Sequence, residues 1–360
     1  MEQMGDTMGM LDLMIRPAFC VRDGVIVRVN QAAKGYLLEA GGELAPLLAT
    51  GQQEYAEFSG SCLYLTLTIA GEKFGASVTR MEGFDVFVLE EEADRAELRT
   101  MALAAQELRA SLSSVMTTVD RLFPMISQNE TPAMQEQTAW INRGLFQMLR
   151  VISNMSDADR YCGAAPRLEA RDVSALLSEI FQQATDLAAY AGISVEYTGL
   201  SAPVYCQVDT EKLERAVFNI LSNAMKFTPR GGRIQATLSR RGSMLYLTVQ
   251  DNGSGIPEHM RSSVFSRFRR NPSLEDGRFG IGLGMVLIRA AATAHGGTVL
   301  IEQPKDGGTR ITMTLDIRKP GGTRLKSPTL RVDYAGERDH GLIELSEVLP
   351  HTLYENERFF

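Results

Sequence analysis

The chain has 360 residues, of which 44% are apolar and 22% charged, an ordinary globular composition that excludes disordered and fibrous architectures. Its 37 basic and 44 acidic residues leave a formal charge of -7, which excludes wrapping nucleic acid or holding an anionic membrane by bulk charge. Cys20, Cys62, Cys162 and Cys206 are far apart and form no CxxC pair, so neither a zinc site nor a disulfide framework is expected, and a reducing cytoplasm fits best.

The N-terminal stretch is interrupted by Asp6, Asp12 and Arg16 and does not read as a signal peptide. The most apolar later run, 279–288, is rich in glycine and stops at Arg289, far short of the roughly 20 residues of a membrane span. Residues 1–92 read as a small α+β module. Strands are expected at 18–21, 25–29, 62–69, 74–79 and 85–89, with an Asp23-Gly24 hairpin turn and a helical stretch at 31–48. The segment 19–33, a hairpin that ends in Asn30 and leads into a helix, resembles the opening of a PAS sensor domain.

From 93 to 165 the strand signals give way to helical periodicity. Leu98, Met101, Ala105, Leu108, Leu112, Val115, Val119 and Leu122 form one apolar stripe, and Ile141, Leu145, Met148, Ile152 and Met155 form a second. Pro124 and the polar stretch 127–132 separate them. Such a hairpin is too thin to bury its apolar face alone, and pairing with a second copy into a four-helix bundle is the expected remedy. Residues 166–318 alternate between helix and strand, with helices expected at 172–190, 210–227 and 284–295. Strands are expected at 193–197, 204–208, 233–239, 244–250, 298–302 and 309–315. The tail, 319–360, opens on a Pro-Gly-Gly linker signal and then carries two short apolar runs of no recognisable motif.

Three segments of the third region carry chemistry. On the helix 210–227, Asn219 and Asn223 stand one turn apart, with Lys226 a further turn on. Carboxamide oxygens suit a hard cation such as Mg²⁺, and an ammonium suits phosphate. Asp251, followed by Gly253 and Gly255, offers a carboxylate to an exocyclic amine and lets a planar base approach the backbone. Gly280-Ile281-Gly282-Leu283-Gly284 opens a helix whose N-terminal amides suit phosphate oxygens. Each feature alone also has a purely structural use.

Taken in order, the runs 219–229, 251–257, 264–270, 279–285 and 307–309 resemble the asparagine, glycine and phenylalanine boxes of the sensor histidine kinases, within the wider superfamily of gyrase and chaperone ATPases. The resemblance implies an α/β-sandwich ATP-binding domain. Asn219 and Asn223 would hold Mg²⁺ and phosphates, Lys226 would assist, and Asp251 would read adenine. Gly253 and Gly255 would let the base approach, while Gly280, Gly282, Leu283 and Gly284 would lie at the hinge of a lid. The superfamily's water-activating glutamate, one turn before the first asparagine, is here Arg215, which cannot take a proton from water. Glu214 is adjacent but about 100° round the helix. Arg267, Arg269, Arg270 and Arg278 could pair with phosphates or serve only as surface charge.

In the family, the first hairpin helix carries a phosphoacceptor histidine. At the matching place this chain has Gln106, followed by Glu107, Leu108, Arg109 and Ala110. A carboxamide nitrogen is delocalised into its carbonyl and cannot attack phosphorus as imidazole does. The four histidines, His259, His295, His340 and His351, all lie in the last third of the chain. The expectation is therefore an α+β multidomain, cytoplasmic, homodimeric signalling protein that binds ATP and Mg²⁺, serves a response regulator or other signalling partner, and lacks self-phosphorylation at the usual place. The linker 90–98 would couple sensor to bundle. An active kinase with its histidine or serine acceptor on a partner is the alternative, and an ATP hydrolase is disfavoured by Arg215.

Overall fold

The computed structural model describes residues 11–60, 62–81, 83–90, 92–126, 131–163, 165–257, 260, 264–265, 282–317 and 338–355. The N-terminal module contributes β1 (Ala18–Arg22), β2 (Val25–Val29), the short helix α1 (Gln52–Glu57), β3 (Cys62–Ile69), β4 (Glu72–Met81) and β5 (Phe84–Leu89). Asn30 ties its opening together. Its Oδ1 accepts from the amides of Ala18 and Ala33 at 3.0 and 2.9 Å, and its Nδ2 donates to the carbonyls of Met14 and Arg16. The expected helical stretch at 31–48 is corrected to two 3₁₀ turns, Ala33–Tyr36 and Ala45–Leu47. The Gly41-Gly42 pair, with Gly41 at φ +93°, and Pro46 prevent a continuous helix.

Helices α2 (Glu92–Ile126) and α3 (Pro132–Gly163) form the hairpin. The first apolar stripe splits in two. Leu98, Ala105 and Leu112 are buried, whereas Leu108, Val115 and Leu122, seven residues apart, remain about half exposed. On α3 Leu145 and Ile152 are buried, while Ile141 and Met148 repeat the exposed spacing. One chain's hairpin thus leaves a heptad row uncovered.

The third region comprises β6 (Glu169–Asp172), α4 (Val173–Tyr190), β7 (Ser194–Thr198), β8 (Tyr205–Val208), α5 (Thr210–Phe227), β9 (Arg233–Arg241), β10 (Met244–Asp251), α6 (Gly284–Ala294), β11 (Val299–Glu302) and β12 (Arg310–Asp316). Asp172 caps α4 through the amide of Ser174, and Asp209 caps α5 through that of Lys212. Leu213, Ala216, Val217, Ile220, Leu221 and Ala224 follow the helical period and bury one face of α5.

Ten strands form one sheet in the order β2-β1-β5-β4-β3-β11-β12-β10-β9-β7. The junction between the two modules is the antiparallel pair β3–β11, where Tyr64 faces Val299 and Cys62 faces Ile301. The tail also folds, contrary to the absence of any motif there. Helix α7 (His340–Glu344) and a 3₁₀ turn (His351–Tyr354) bury Leu342, Ile343, Leu345, Leu349, Leu353 and Tyr354 against the hairpin and the third region. Among the described residues no helix is long and apolar enough to cross a membrane.

Candidate nucleotide site

Helix α5, strand β10 and the start of α6 bring the expected residues to one end of the sheet. Asn219 is almost completely buried, at 2% exposure, and its Nδ2 donates to the Arg215 carbonyl at 2.8 Å. Its Oδ1 faces Gly284, where a Cβ would come within 2.8 Å of it. A side chain at Gly284 would therefore displace the carboxamide. Asn223 and Lys226 are half-buried further along the same helix. Lys226 stands only about 20° from Asn219 around the axis, at 100° per residue.

Asp251 ends β10 at 6% exposure. Its Oδ1 accepts from the amides of Gly253 and Thr309 at 2.8 and 3.1 Å, which fixes the carboxylate plane. Burial pushes its carboxyl above the usual range, and the backbone donors only partly offset this. Gly308 is required beside it. With φ at +76°, it packs its Cα against the Asp251 carbonyl oxygen, where a Cβ would collide. Gly253 likewise packs against the Phe227 carbonyl, and Gly255 lies against Gln303. Gly282 has φ +80°, and buried Leu283 precedes α6 without a side-chain cap on the first turn. Gly280, His259 and Arg267, Arg269, Arg270 and Arg278 lie outside the described residues.

These groups fit a Mg-nucleotide in their chemistry. A buried, oriented carboxylate suits an amine, carboxamides and an ammonium on one helix suit a metal–triphosphate, and Gly253, Gly284 and Gly308 stand where a Cβ would collide with the residues around them. Residues 208–319 match the family model described as the histidine kinase-, DNA gyrase B- and HSP90-like ATPase. Over 233 residues the chain is 29% identical to the sensor histidine kinase TmoS of Ectopseudomonas mendocina, covering 64% of this chain and 24% of the relative. Over 230 residues it is 28% identical to the histidine protein kinase DivJ of Caulobacter vibrioides, covering 61% of this chain and 37% of that one.

Residues 208–319 belong to the histidine kinase-, DNA gyrase B- and HSP90-like ATPase family, and over about two thirds of its length the chain is similar to sensor histidine kinases, of which it spans less than half. Among solved structures, full-length ShkA in complex with AMPPNP aligns with a TM-score of 0.50 at 20% identity, covering 62% of this chain and 47% of that chain, a likeness of fold.

Gln106, expected at the acceptor position, is exposed on α2, as is Glu107. Leu108, on the same turn, lines a cleft of 740 Å³ between the hairpin and the ATP-binding domain, together with Met148, Val151, Met225, Lys226 and Glu347. Arg215 is 1% exposed. Its guanidinium reaches Glu344 Oε1 at 2.6 Å, Asn154 Oδ1 at 2.7 Å and Asp157 Oδ2 at 3.0 Å. Arg215, expected where the superfamily carries its water-activating glutamate, thus joins α5 to α3 and the tail.

Among the remaining histidines, His295 is structural. Its Nε2 accepts from the Asp209 amide at 2.9 Å while Nδ1 donates to the Ala291 carbonyl at 2.7 Å, and burial lowers its pKa. His340 Nδ1 lies 2.9 Å from Glu214 Oε1. Glu214 is about 140° round α5 from Asn219, so His340 lies away from the nucleotide face.

Three groups escaped sequence reasoning. Arg150 on α3 bonds Ser222 at 2.9 Å and pairs with both Glu344 and Glu347. Glu347 pairs with Lys226. Burial opposes ionisation of Glu347, yet Arg150 and Lys226 hold its carboxyl below the usual range. The only sequence signal was two carboxylates three residues apart in an apolar tail run. The linker contact is more specific than its acidity suggested. Glu90 meets Arg289 of α6 at 2.6 Å and Tyr64 at 3.0 Å, and Leu98 is buried against Leu283 and Leu287.

Proposed function

We propose that this chain is an ATP-binding signalling module of the two-component type, a degenerate sensor kinase that does not phosphorylate itself at the usual place. The reading rests on one juxtaposition: every nucleotide-binding side chain expected on α5 and β10 is present, and the matching turn of α2 carries Gln106 in place of histidine. Asn219, Asn223 and Lys226 would take Mg²⁺ and the phosphates, with Asn223 and Asn219 the metal ligands. Asp251 would accept from the adenine amine, with Gly253, Gly255 and the glycine run 280–284 closing around the nucleotide. Bound Mg-ATP would supply a triphosphate charge and, for an outside acceptor, a transferable phosphoryl group.

The organisation that goes with this reading is a PAS-like sensor at 1–92, a dimerisation hairpin at 93–165, the ATP-binding domain at 166–318 and a tail at 319–360. The uncovered row of Leu108, Val115, Leu122, Ile141 and Met148 supports a homodimer through the hairpin. Buried free thiols at Cys20, Cys62 and Cys206 are consistent with a cytoplasmic site of action. A response regulator is the proposed partner. A second reading, phosphoryl transfer to a histidine or serine of a partner, is favoured by the same intact nucleotide residues. Water-directed hydrolysis is disfavoured, because Arg215 is committed to Glu344 and Asp157.

Calorimetric titration with ATP in the presence and absence of Mg²⁺ tests the binding half of the proposal. Mg²⁺-dependent binding, lost in Asn223→Ala, is expected. Binding that is absent, or indifferent to Mg²⁺ and to that substitution, contradicts it.

A further inference from the structure

The tail carries a carboxylate to Lys226, on the Asn219 face of α5. Three α3 side chains fix the backbone on which it stands. Arg143 Nε and Nη2 donate to the carbonyls of Ser346 and Glu347 at 3.1 Å each, and Gln147 Nε2 donates to Ser346 at 3.1 Å. Further on, Asn142 Nδ2 donates to the Tyr354 carbonyl at 3.0 Å, and the Tyr354 hydroxyl returns to the Leu342 carbonyl at 2.7 Å. These contacts fix the backbone at Glu347, whose side chain is partly buried. Its carboxylate takes the Lys226 ammonium on one side and lies 3.1 Å from Arg150 Nη1 on the other.

A carboxylate paired with a lysine presents the same charge sign and acceptor geometry as a phosphate oxygen. Lys226 shares a helix face with Asn219, so a triphosphate at that face meets an ammonium already paired and a second anion beside it. We infer that residues 338–355 form an internal inhibitor, in which Glu347 competes with the phosphates of Mg-ATP for Lys226, so that tail docking and nucleotide binding oppose each other. The inference rests on the proposed phosphate role of Lys226. Coupling of this kind is reciprocal: whatever weakens the docked tail strengthens nucleotide binding, and nucleotide loosens the tail by the same factor. It also assigns a role to the Arg150–Glu344–Arg215 group beneath Glu347, which holds the competing segment against α3 and α5.

The test compares Mg-ATP dissociation constants of the full chain, Glu347→Gln, and the exposed tail control Glu355→Gln, by titration at equal ionic strength. Glu347→Gln is expected to bind about tenfold more tightly, the worth of one charge-assisted contact, and Glu355→Gln to bind as the unmodified chain does. A second measurement needs no variant. Saturating Mg-AMPPNP should speed amide exchange at 342–349 in the unmodified protein. Binding that is unchanged or weaker in Glu347→Gln, or a tail that nucleotide protects or leaves unaltered, overturns the inhibitor while leaving the nucleotide site standing. Binding by none of the three proteins overturns the site reading and the inference with it.

Discussion

Arg215 Nη1 lies 2.6 Å from Oε1 of Glu344, a pair of fully buried charges from residues 129 positions apart. Two buried carboxylates, Glu344 and Asp157, share that guanidinium, the first also pairing with Arg150 and the second with Arg160, so its removal strips one counterion from each. Arg215→Met is expected to cost about 3–5 kcal/mol in urea unfolding. Adding Glu344→Gln should recover part of the loss, because the two sites are coupled. A cost near zero would show that the cluster does not hold the tail and the two helices together.

Asp251 and Gly308 define the base end of the site. Asp251→Asn keeps an acceptor for the amides of Gly253 and Thr309 but presents an amino group where the proposal needs a carboxylate. ATP affinity is expected to fall about 10- to 100-fold, the range of one lost buried polar contact. Gly308→Ala meets the Asp251 carbonyl and a left-handed backbone, and should lose both stability and binding. An Asp251→Asn dissociation constant within about twofold of the parent would remove this residue from base recognition.

The linker carboxylate Glu90 faces Arg289 just behind the start of α6. Arg289 is nearly buried and also lies over the Tyr64 ring, 4.8 Å from its centroid. Glu90→Gln exchanges a charge-assisted pair for a neutral one, with an expected loss of about 1.5–3 kcal/mol in thermal or urea unfolding. Amide exchange should rise through 284–291 and at the β3–β11 junction together. Faster exchange confined to the linker would mean that the N-terminal module and α6 are not coupled through Glu90.

Acid should release the tail in a defined direction. The folded-state pKa of Glu347 is lowered by Arg150 and Lys226 from an ordinary 4.5. Its contribution to stability is therefore complete above the ordinary value and lost as pH falls through the lower folded one. In urea titrations the parent should exceed Glu347→Gln in stability at pH 7, and the gap should close as the solution is taken well below pH 4.5. A gap that persists in acid would mean that packing, not ionisation, sets the effect of the substitution.

Much of the ATP-binding domain could be read from local chemistry. Helix α5 starts and stops at the expected 210 and 227, and Asn219 and Gly284 meet because α6 packs against that helix. Long-range pairings were not legible. Nothing in the runs 342–349 or 150–157 announces that Glu344 and Glu347 meet Arg150, Arg215 and Lys226, since each charge alone resembles a solvated one. The β3–β11 junction was hidden for a similar reason, because edge pairing depends on where two modules meet. The hairpin stripe was correct in period, but periodicity cannot separate the half that faces the protein from the half left open.

Phosphoryl chemistry at the hairpin tests the central claim most directly. The purified chain is incubated with γ-labelled ATP and Mg²⁺, its binding checked in parallel, and the labelled region mapped. Mg²⁺-dependent binding with no label on α2 or α3 is the predicted result, and Gln106→His should then acquire acid-labile label at residue 106. Label within the hairpin of the unmodified chain would contradict the account.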